Sequence, residues 1–326
     1  MRKLFLICFS FILTVFLGFI CLCIGKYYIP INEIITLNLS KEIYKTIIFD
    51  IRLPRIIMAI LVGAALAVSG ATYQGVFRNP LVSPYILGVS SGAAFGAALS
   101  IIFPEFPLSL QLSAFVFGLL TVYLAYSLAR VRGRVPLVTL LLAGVILGSF
   151  FSAMVAIFQY IATEAQLKAI VFWLMGGLYS ASWDDVKTTG ILIPIGIILL
   201  QIYSWKLNVL SLGDDEARAL GINTERLKIL LITLATFITS LAVSVTGIIG
   251  WVGLMMPHAA RLIIGPDHRY LLPLSASFGA IFLLICDTIA RTITTGEVPL
   301  GIVTSLLGAP YLIYLIRNKK NLFFGD

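Results

Sequence analysis

The segment IIMAILVGAALAVSGATYQGVF, residues 56–77, carries no charged side chain and lies between Arg55 and Arg78. A run of about 20 apolar residues is what an α-helix needs to cross the hydrocarbon core of a bilayer. We therefore predict a transmembrane helix over about residues 54–76. Similar runs recur from one end of the chain to the other, so this segment sets the pattern for the whole fold.

The composition of the whole chain agrees with this prediction. Of its 326 residues, 60% are hydrophobic and 12% are charged, whereas soluble domains average about 45–50% and about 25%. The mean hydropathy of +1.03 is equally high. These values exclude a soluble globular protein and a disordered chain. The length leaves room for about eight to ten spans and short loops, so we predict a single transmembrane domain over residues 1–326.

Apolar runs and the turn residues between them predict ten transmembrane helices in an all-α polytopic membrane protein. The eighth run is short and is interrupted by Gly253 and Pro257. Such a broken segment is tolerated at membrane depth only inside protein or beside a cavity. The predicted spans are about 4–24, 54–76, 84–103, 111–129, 136–161, 186–205, 229–246, 249–264, 270–290 and 298–316.

The basic residues predict the orientation in the membrane. Lys and Arg collect in cytoplasmic segments, and ten crossings that begin inside place most of the 23 basic residues there, with both termini cytoplasmic. The apolar run after Arg2 and Lys3 is too long for a signal peptide, so it is the first span. This bias explains the net charge of +8 without nucleic-acid binding. Three arginines at helix ends break the rule on the outer side: Arg52, Arg55 and Arg291.

Two loops are more than connectors. The cytoplasmic stretch LNVLSLGDDEARALGINTERLK, residues 207–228, is the longest polar segment. Acids open its part from Asp214 to Leu220, and Gly221 follows as a helix stop, so we predict one or two short helices outside the bilayer. The outer segment from Gln166 to Met175 is amphipathic and is predicted to rest on the membrane surface.

Motifs that could support catalysis are weak. Residues 88–92 read GVSSG and match the G-x-S-x-G nucleophile elbow, but that motif needs a preceding strand, and the context here is helical. The sequence contains no P-loop, so an ATP-driven step would need a separate ATPase chain. The four cysteines lack the spacing of a metal or redox site.

Asp287 is the only acidic residue inside a predicted span, and intramembrane acids are functional candidates by default. Arg291 lies one helical turn later, at the i,i+4 spacing that suits an ion pair. Two interpretations follow. We favour a structural ion pair near the outer helix end, and the alternative is a proton site of a secondary transporter.

Many short blocks in a fixed order carry a resemblance to a known family. They are RLPR (52–55), LVGAALAVSG (61–70), RNPL (78–81), LGVSSG (87–92), LLAG (141–144), WLMGG (173–177), GWVGL (250–254), PH (257–258), DHR (267–269), PLGI (299–302) and GAP (308–310). Together, from about residue 50 to the end, they resemble the permease subunits of bacterial ABC importers for iron-siderophores, haem and cobalamin, the FecCD family.

The resemblance implies a type II ABC importer permease fold with ten helices in each subunit of a homodimer. The partners that it implies are two cytoplasmic ATPase subunits, which bind ATP and Mg, and an extracytoplasmic binding protein. This chain itself would bind no cofactor and no metal. In the family, exposed outer arginines receive acidic residues of the binding protein, and Arg52, Arg55 and Arg291 fall on those positions. Guanidinium groups suit carboxylates, and exposed charge steers docking.

The resemblance also implies roles on the inner side. Residues 207–228 match the coupling loop that fits a cleft in the ATPase, although a solvated connector is the alternative. Its candidate contacts are Asp214, Asp215, Glu216, Ala217, Arg218, Leu220 and Gly221. The cytoplasmic gate is expected from Asn79, Leu81, Leu137 and Val138, as a hydrophobic constriction. The candidates for lining the pathway on the fifth and tenth helices are Ser149, Ser152, Thr304 and Ser305.

The expected function is therefore that of a cell-membrane permease subunit that translocates a ferric chelate delivered by a binding protein. Cobalamin or haem import by the same architecture is the alternative, because specificity in the family lies mainly in the binding protein. Two other classes make distinct predictions. A proton-coupled secondary transporter needs no ATPase and loses function on Asp287→Asn, and a membrane enzyme loses turnover on Ser90→Ala.

Overall fold

The computed structural model describes residues 2–36, 42–131, 134–294 and 296–318. The helices are α1 Arg2–Cys23, α2 Ile31–Thr36, α3 Glu42–Lys45, a π-helical segment Thr46–Arg52, α4 Leu53–Phe77, α5 Val89–Ile102, α6 Leu110–Ala129, α7 Leu137–Ile161, α8 Glu164–Met175, α9 Trp183–Ile202, α10 Ser204–Leu212, α11 Asp214–Ala219, α12 Thr224–Thr246, α13 Val252–Ile264, α14 His268–Thr292 and α15 Leu300–Asn318.

The ten predicted spans all coincide with helices. In the described ranges, seven helical segments are long and apolar enough to cross a membrane, namely α1, α4 with the turns before it, α6, α7, α9, α12 and α14. Three shorter apolar helices, α5, α13 and α15, account for the other three. The prediction of an all-α polytopic membrane protein is confirmed.

Helix α4 lies at the centre of the bundle, where it packs against α9, α12, α13 and α14. Glycines allow the close approach. A Cβ atom added to Gly63 would overlap with the carbonyl group of Gly279, and one added to Gly70 would overlap with the carbonyl oxygen of Gly253. Without a hydrophobic drive between helices in lipid, such backbone contact is a main source of packing energy.

The interruption of the eighth span that was predicted at Gly253 and Pro257 is wrong, since both residues lie within the continuous helix α13, and the irregular backbone lies just before this helix. Helices α12 and α13 are joined by a turn in which Gly247 and Trp251 both have positive φ, +67° and +71°. The turn is surrounded by protein, because Ile249 is buried and its carbonyl accepts a 2.8 Å hydrogen bond from the Tyr85 hydroxyl. Irregular backbone at membrane depth is thus satisfied internally, as the bilayer requires.

Contacts between helix ends define the two ends of the bundle. The Lys3 ammonium group lies 5.1 Å from the centre of the Tyr270 ring, which places the start of α1 beside the start of α14. At the opposite end, Arg291 near the end of α14 donates to the carbonyl of Cys21 near the end of α1. Residues 207–228 lie at the end that holds the start of α1, which we take as cytoplasmic; Met1 and residues 319–326 lie outside the described ranges.

Candidate functional sites at the two ends of the bundle

A buried ion-pair network occupies the outer end. The Arg55 side chain is only 8% exposed and the Asp287 side chain only 2%. Arg55 Nε donates to Asp287 Oδ1 at 2.8 Å, and Arg55 Nη1 donates to both carboxylate oxygens of Glu297, at 3.0 and 2.8 Å. The network therefore joins α4, α14 and the segment that leads into α15.

The other two outer arginines hold the end of α1. Arg52 donates to the carbonyl of Leu22 at 2.7 Å and to that of Tyr27 at 2.6 Å, and Arg291 donates to the carbonyl of Cys21. The last carbonyl groups of a helix have no partner within it, and basic side chains are among the groups that satisfy them. These arginines therefore have a structural role at the carboxyl end of α1.

The prediction that Arg52, Arg55 and Arg291 are exposed is wrong, since all three are buried. The physical reason is that carboxylates and helix-end carbonyls from distant parts of the chain surround them. They contribute to the wall of a pocket of about 200 Å³ on the outer side. Their role in docking stays a prediction. The other residues that line the pocket are Gly25, Lys26, Tyr27, Ile47, Ile51 and Glu297.

The ion pair predicted between Asp287 and Arg291 is present. Arg291 Nε lies 3.6 Å from Asp287 Oδ2, as the helical spacing predicts. The shorter contact is the one with Arg55, which the sequence does not reveal. The Asp287 carboxylate thus neutralises two buried guanidinium groups.

On the inner side, α11 is the short helix predicted from Asp214 to Leu220, and α10 is a further short helix before it that was not predicted separately. Helix α11 ends as predicted, because Gly221 has φ +78° and the next residue, Ile222, donates back to the carbonyl of Ala217 at 3.0 Å. The prediction that Ala217 contacts the ATPase is wrong, since this residue is fully buried on the inward face of α11. Asp214 is half-buried, and the exposed candidates are Asp215, Glu216, Arg218, Leu220 and Gly221.

Helix α10 is anchored to the start of α14. The Asn208 amide donates to Asp267 Oδ1 at 2.7 Å, and its oxygen accepts from the backbone N–H of His268 at 2.8 Å. Asp267 also caps α14 by accepting from the N–H of Arg269. Hydrogen bonds from the Arg269 side chain hold the pKa of Asp267 well below its usual range, although partial burial opposes them. This cap therefore stays charged at physiological pH.

An ionic cluster that the sequence analysis did not predict lies between α11, α12 and α7. Lys228 is buried and contacts the carboxylate of Asp214, while Glu225 accepts a 3.1 Å hydrogen bond from the N–H of Val135. The sequence indicates only one contact of this cluster, through the i,i+3 spacing of Glu225 and Lys228. Lys228 Nζ lies 3.7 Å from Glu225 Oε1.

The four predicted gate residues fall into two groups. Leu137 and Val138 line a pocket of about 380 Å³ together with residues of α11. Asn79 lines a neighbouring pocket instead, and its side chain accepts from the N–H of Leu81 at 2.9 Å. Leu81 is 53% exposed and Val138 69% exposed, so both apolar side chains are available to a partner. Two of the four proposed gate residues, Leu137 and Val138, therefore lie beside the coupling loop.

Two of the pathway candidates lie on an open face of α7. Ser149 and Ser152 are exposed, as are their large apolar neighbours Ile146 and Phe150. The Ser152 hydroxyl reaches Ser91 of α5 at 3.4 Å. This face has no cover from the described part of the chain, so lipid or another subunit must meet it.

The two candidates on α15 do not lie on an open face. The prediction that Thr304 lines the pathway is wrong, because this residue is fully buried and its hydroxyl donates to the carbonyl of Gly301 at 3.3 Å. Ser305 is half-buried; its hydroxyl accepts from Trp251 Nε1 at 3.0 Å and donates to the same carbonyl at 2.6 Å. Both hydroxyls satisfy backbone or indole groups inside the bundle, which is the physical reason that they face inward.

Comparison with known proteins bears on the function of these two ends. Residues 13–318 match the model of the FecCD transport family. The chain belongs to the FecCD transport family. The match begins within α1 and includes the other nine apolar helices in full.

Relatives within the family extend over most of the chain. The cobalamin import system permease BtuC of Halobacterium salinarum is 42% identical over 280 residues, which cover 86% of this chain and 75% of that protein. A permease named for iron chelatin transport in Helicobacter pylori is 39% identical and covers 92% of this chain and 89% of its own length. A solved structure described as an inward-facing metal-chelate type ABC transporter is 39% identical, with a TM-score of 0.88, and covers 95% and 98% of the two chains.

The FecCD family assignment fixes the general role of the chain. It is a multi-pass protein of the cell membrane and a permease subunit of an ABC importer. Its role is transport, and the hydrolysis of ATP belongs to separate subunits. The resemblance stated from the sequence blocks is confirmed.

Proposed function

We propose that this FecCD-family permease translocates a ferric chelate that an extracytoplasmic binding protein delivers. The main support for this proposal is the 39% identical structure of a metal-chelate type ABC transporter, which superimposes over almost the whole chain. The iron chelatin permease supports the same class of cargo. Cobalamin is the second candidate, because the relative named for its import is equally similar. The arrangement that we propose has two copies of this chain, two ATPase subunits and one binding protein.

The open face of α7 supports a pathway between two copies. Along this helix, 28% of the most apolar stretch is buried within the chain, compared with 83% for α4. Its exposed surface alternates large apolar side chains with the small hydroxyls of Ser149 and Ser152. A surface that mixes the two suits a bulky, amphipathic chelate better than a small hydrated ion.

Movement of the coupling loop is the proposed source of alternating access. The exposed side of α11 offers acidic, basic and apolar side chains to an ATPase, while α10 is fixed to the start of α14. A change of shape in the ATPase shifts the equilibrium between two permease conformations only if it binds them unequally. The loop is the part of the cytoplasmic end through which this bias is transmitted.

The cargo is tested by uptake in a deletion strain that keeps the matching binding protein and ATPase. We expect the wild-type chain to restore uptake of a radiolabelled ferric chelate and to leave uptake of haem, cobalamin and molybdate unchanged. Molybdate is included because a 39% identical permease of Haemophilus influenzae is named for its import. Restoration of cobalamin or haem uptake instead would keep the architecture and overturn the cargo. A chain that restores none of the four would contradict the proposal as a whole.

The outer pocket is proposed to receive an acidic side chain of the binding protein. Its basic groups are Lys26, Arg52, Arg55 and Arg291, whereas its acids are Glu297 and the adjoining Asp287. The excess positive charge attracts a carboxylate, although the arginines are recessed. Glu297, which is 40% exposed, is the residue with which a docking carboxylate must compete.

Replacing Glu297 with Gln is expected to strengthen docking of the binding protein several-fold at low salt. The change removes a negative charge that neutralises Arg55 and keeps the shape of the side chain. The measurement is the dissociation constant for the binding protein on nanodiscs that hold the permease and its ATPase. The matched control is Asp184→Asn, an exposed acid at the outer start of α9. Equal affinities for both variants would remove the pocket as the docking site.

A further inference from the structure

We propose that Glu225 is a positioning residue that transmits movement of the coupling loop to α7. This helix begins with Leu137 and Val138, two of the predicted gate residues. The inference rests on the proposed function, because it assumes that an ATPase moves the loop. Neither the sequence blocks nor the arrangement of the helices indicates which residue connects the coupling loop to the gate, and the proposal assigns this connection to Glu225.

The link begins at the entry to α7. Val135 is buried and its backbone N–H donates to Glu225 Oε2 at 3.1 Å. The next residue, Pro136, occupies the N-cap position, where no side chain caps the helix. Among the described residues, the Glu225 carboxylate is therefore the side chain that holds the backbone at the start of α7. A shift of Glu225 must move this start or break the hydrogen bond.

A buried lysine connects Glu225 to the coupling loop. Lys228 lies one turn further along α12 and is only 3% exposed. Its ammonium group contacts the carboxylate of Asp214, the first residue of α11, and lies 3.7 Å from Glu225 Oε1. A buried ammonium group is tolerated only with a carboxylate partner, and removal of one partner is strongly destabilising. Asp214 is the closer of the two carboxylates, so Lys228 fixes the start of α11 to the turn of α12 that carries Glu225.

Arg218 provides a second connection between the same two helices. Its Nε donates to the Thr224 hydroxyl at 3.3 Å, and its guanidinium group lies 3.9 Å from Glu225. Both contacts join α11 to the first turn of α12. The loop and the first turn of α12 therefore move as a unit, and Glu225 is its contact with α7.

A simpler role for Glu225 is purely local. An acid in the first turn of a helix stabilises the positive end of the helix dipole, wherever its carboxylate points. Glu164, in the first turn of α8, is such an acid and is exposed. The local role depends on charge, whereas the proposed link depends on the reach of a hydrogen-bond acceptor to Val135. Two conservative variants separate these requirements.

Glu225→Asp keeps the charge and shortens the side chain by one methylene group, so the acceptor no longer reaches Val135. Glu225→Gln removes the charge and keeps an oxygen acceptor at the same reach. We expect uptake per ATP hydrolysed to fall about tenfold in Glu225→Asp, a loss on the scale of one charge-assisted hydrogen bond. We expect Glu225→Gln to remain within about twofold of the wild type, because its amide oxygen still accepts from the Val135 N–H and Lys228 keeps the carboxylate of Asp214 as its closest partner.

The assay uses the permease with its ATPase subunits and binding protein in proteoliposomes. A Val138→Cys probe in a Cys8→Ser background, present in every sample, reports thiol labelling at the start of α7 with and without ATP. The change in labelling on addition of ATP is expected to persist in Glu225→Gln and in the control Glu164→Asp, and to disappear in Glu225→Asp. Thermal unfolding of each variant shows that the helices remain assembled.

Retention of coupling in Glu225→Asp with loss in Glu225→Gln would assign Glu225 the local, charge-dependent role and overturn the proposal. Equal behaviour of the two variants, whether coupled or uncoupled, would also overturn it. If the wild-type complex shows ATP hydrolysis but no uptake of any cargo, the proposed function fails. In that case the labelling change alone still distinguishes the two variants.

Discussion

Replacing Asp287 with alanine is expected to destabilise the folded chain by about 3–5 kcal/mol, the cost of breaking a buried ion pair from one side. The variant leaves Arg55 with Glu297 alone and leaves Arg291 without its 3.6 Å carboxylate neighbour. Both guanidinium groups are buried, so water cannot replace the lost charge. The effect is large because the carboxylate neutralises both guanidinium groups.

The measurement is thermal or denaturant unfolding of the purified chain in detergent micelles. The control is Asp184→Ala, which removes an exposed pair with Lys187 at 2.9 Å. Exposed pairs contribute about 0–1 kcal/mol, so the control is expected to unfold almost as the wild type does. If Asp287→Ala loses no more stability than Asp184→Ala, the outer ion-pair network does not stabilise the fold.

Gly70→Ala is the second substitution with a large expected effect. The added Cβ would overlap with the carbonyl oxygen of Gly253, which is backbone and cannot rotate away. Helices α4 and α13 would have to separate, and overpacking of this kind costs about 3 kcal/mol or more at its upper end. Alanine gains only about 0.5–1 kcal/mol over glycine from helix propensity, so the net effect is destabilisation of the bundle by about 2 kcal/mol or more.

The yield of monodisperse protein after extraction reports this loss of stability directly. Gly190→Ala on α9 is the matched control, because the nearest atom to its added Cβ is a side-chain carbon of Leu61 at 3.8 Å. We expect the control to be extracted at wild-type yield and Gly70→Ala to be aggregated or absent. Similar yields of the two would mean that α4 and α13 approach less closely than described.

The spans were predictable from the sequence because their signals are local. An uncharged run of spanning length needs no knowledge of the rest of the fold, and the acids and Gly221 around α11 are local signals too. The positions of all ten apolar helices and of the short cytoplasmic helix followed from such signals. Helix α10 was not predicted separately, because its sequence continues the apolar character of α9.

The burial of the outer arginines was not predictable, because it depends on distant partners. Arg55 is 232 residues from Asp287 and 242 residues from Glu297. The charge rule placed the arginines at the correct end of the bundle, but it gives no indication of depth. A charge reversal at Arg55 would therefore disturb folding and docking together, which is why Glu297→Gln is the sharper test of the pocket.

On the inner side, the contact between Val135 and Glu225 was also not predictable, because its partners are distant in the sequence. The choice of both Thr304 and Ser305 as pathway residues, in contrast, was an avoidable error. Val135 and Glu225 are 90 residues apart, and neither residue alone indicates the contact. By contrast, Thr304 and Ser305 are consecutive on a helix and point about 100° apart. A single pathway face cannot include both equally, so helical geometry could have excluded one of them before the structure was known.

The most direct test of the central claim is uptake by proteoliposomes that contain the wild-type chain, the ATPase subunits and the binding protein. We predict that a radiolabelled ferric chelate accumulates only when all three proteins and ATP are present. Uptake that needs no ATPase and follows a proton gradient, or ATP-driven uptake of cobalamin without that of the ferric chelate, would contradict the account.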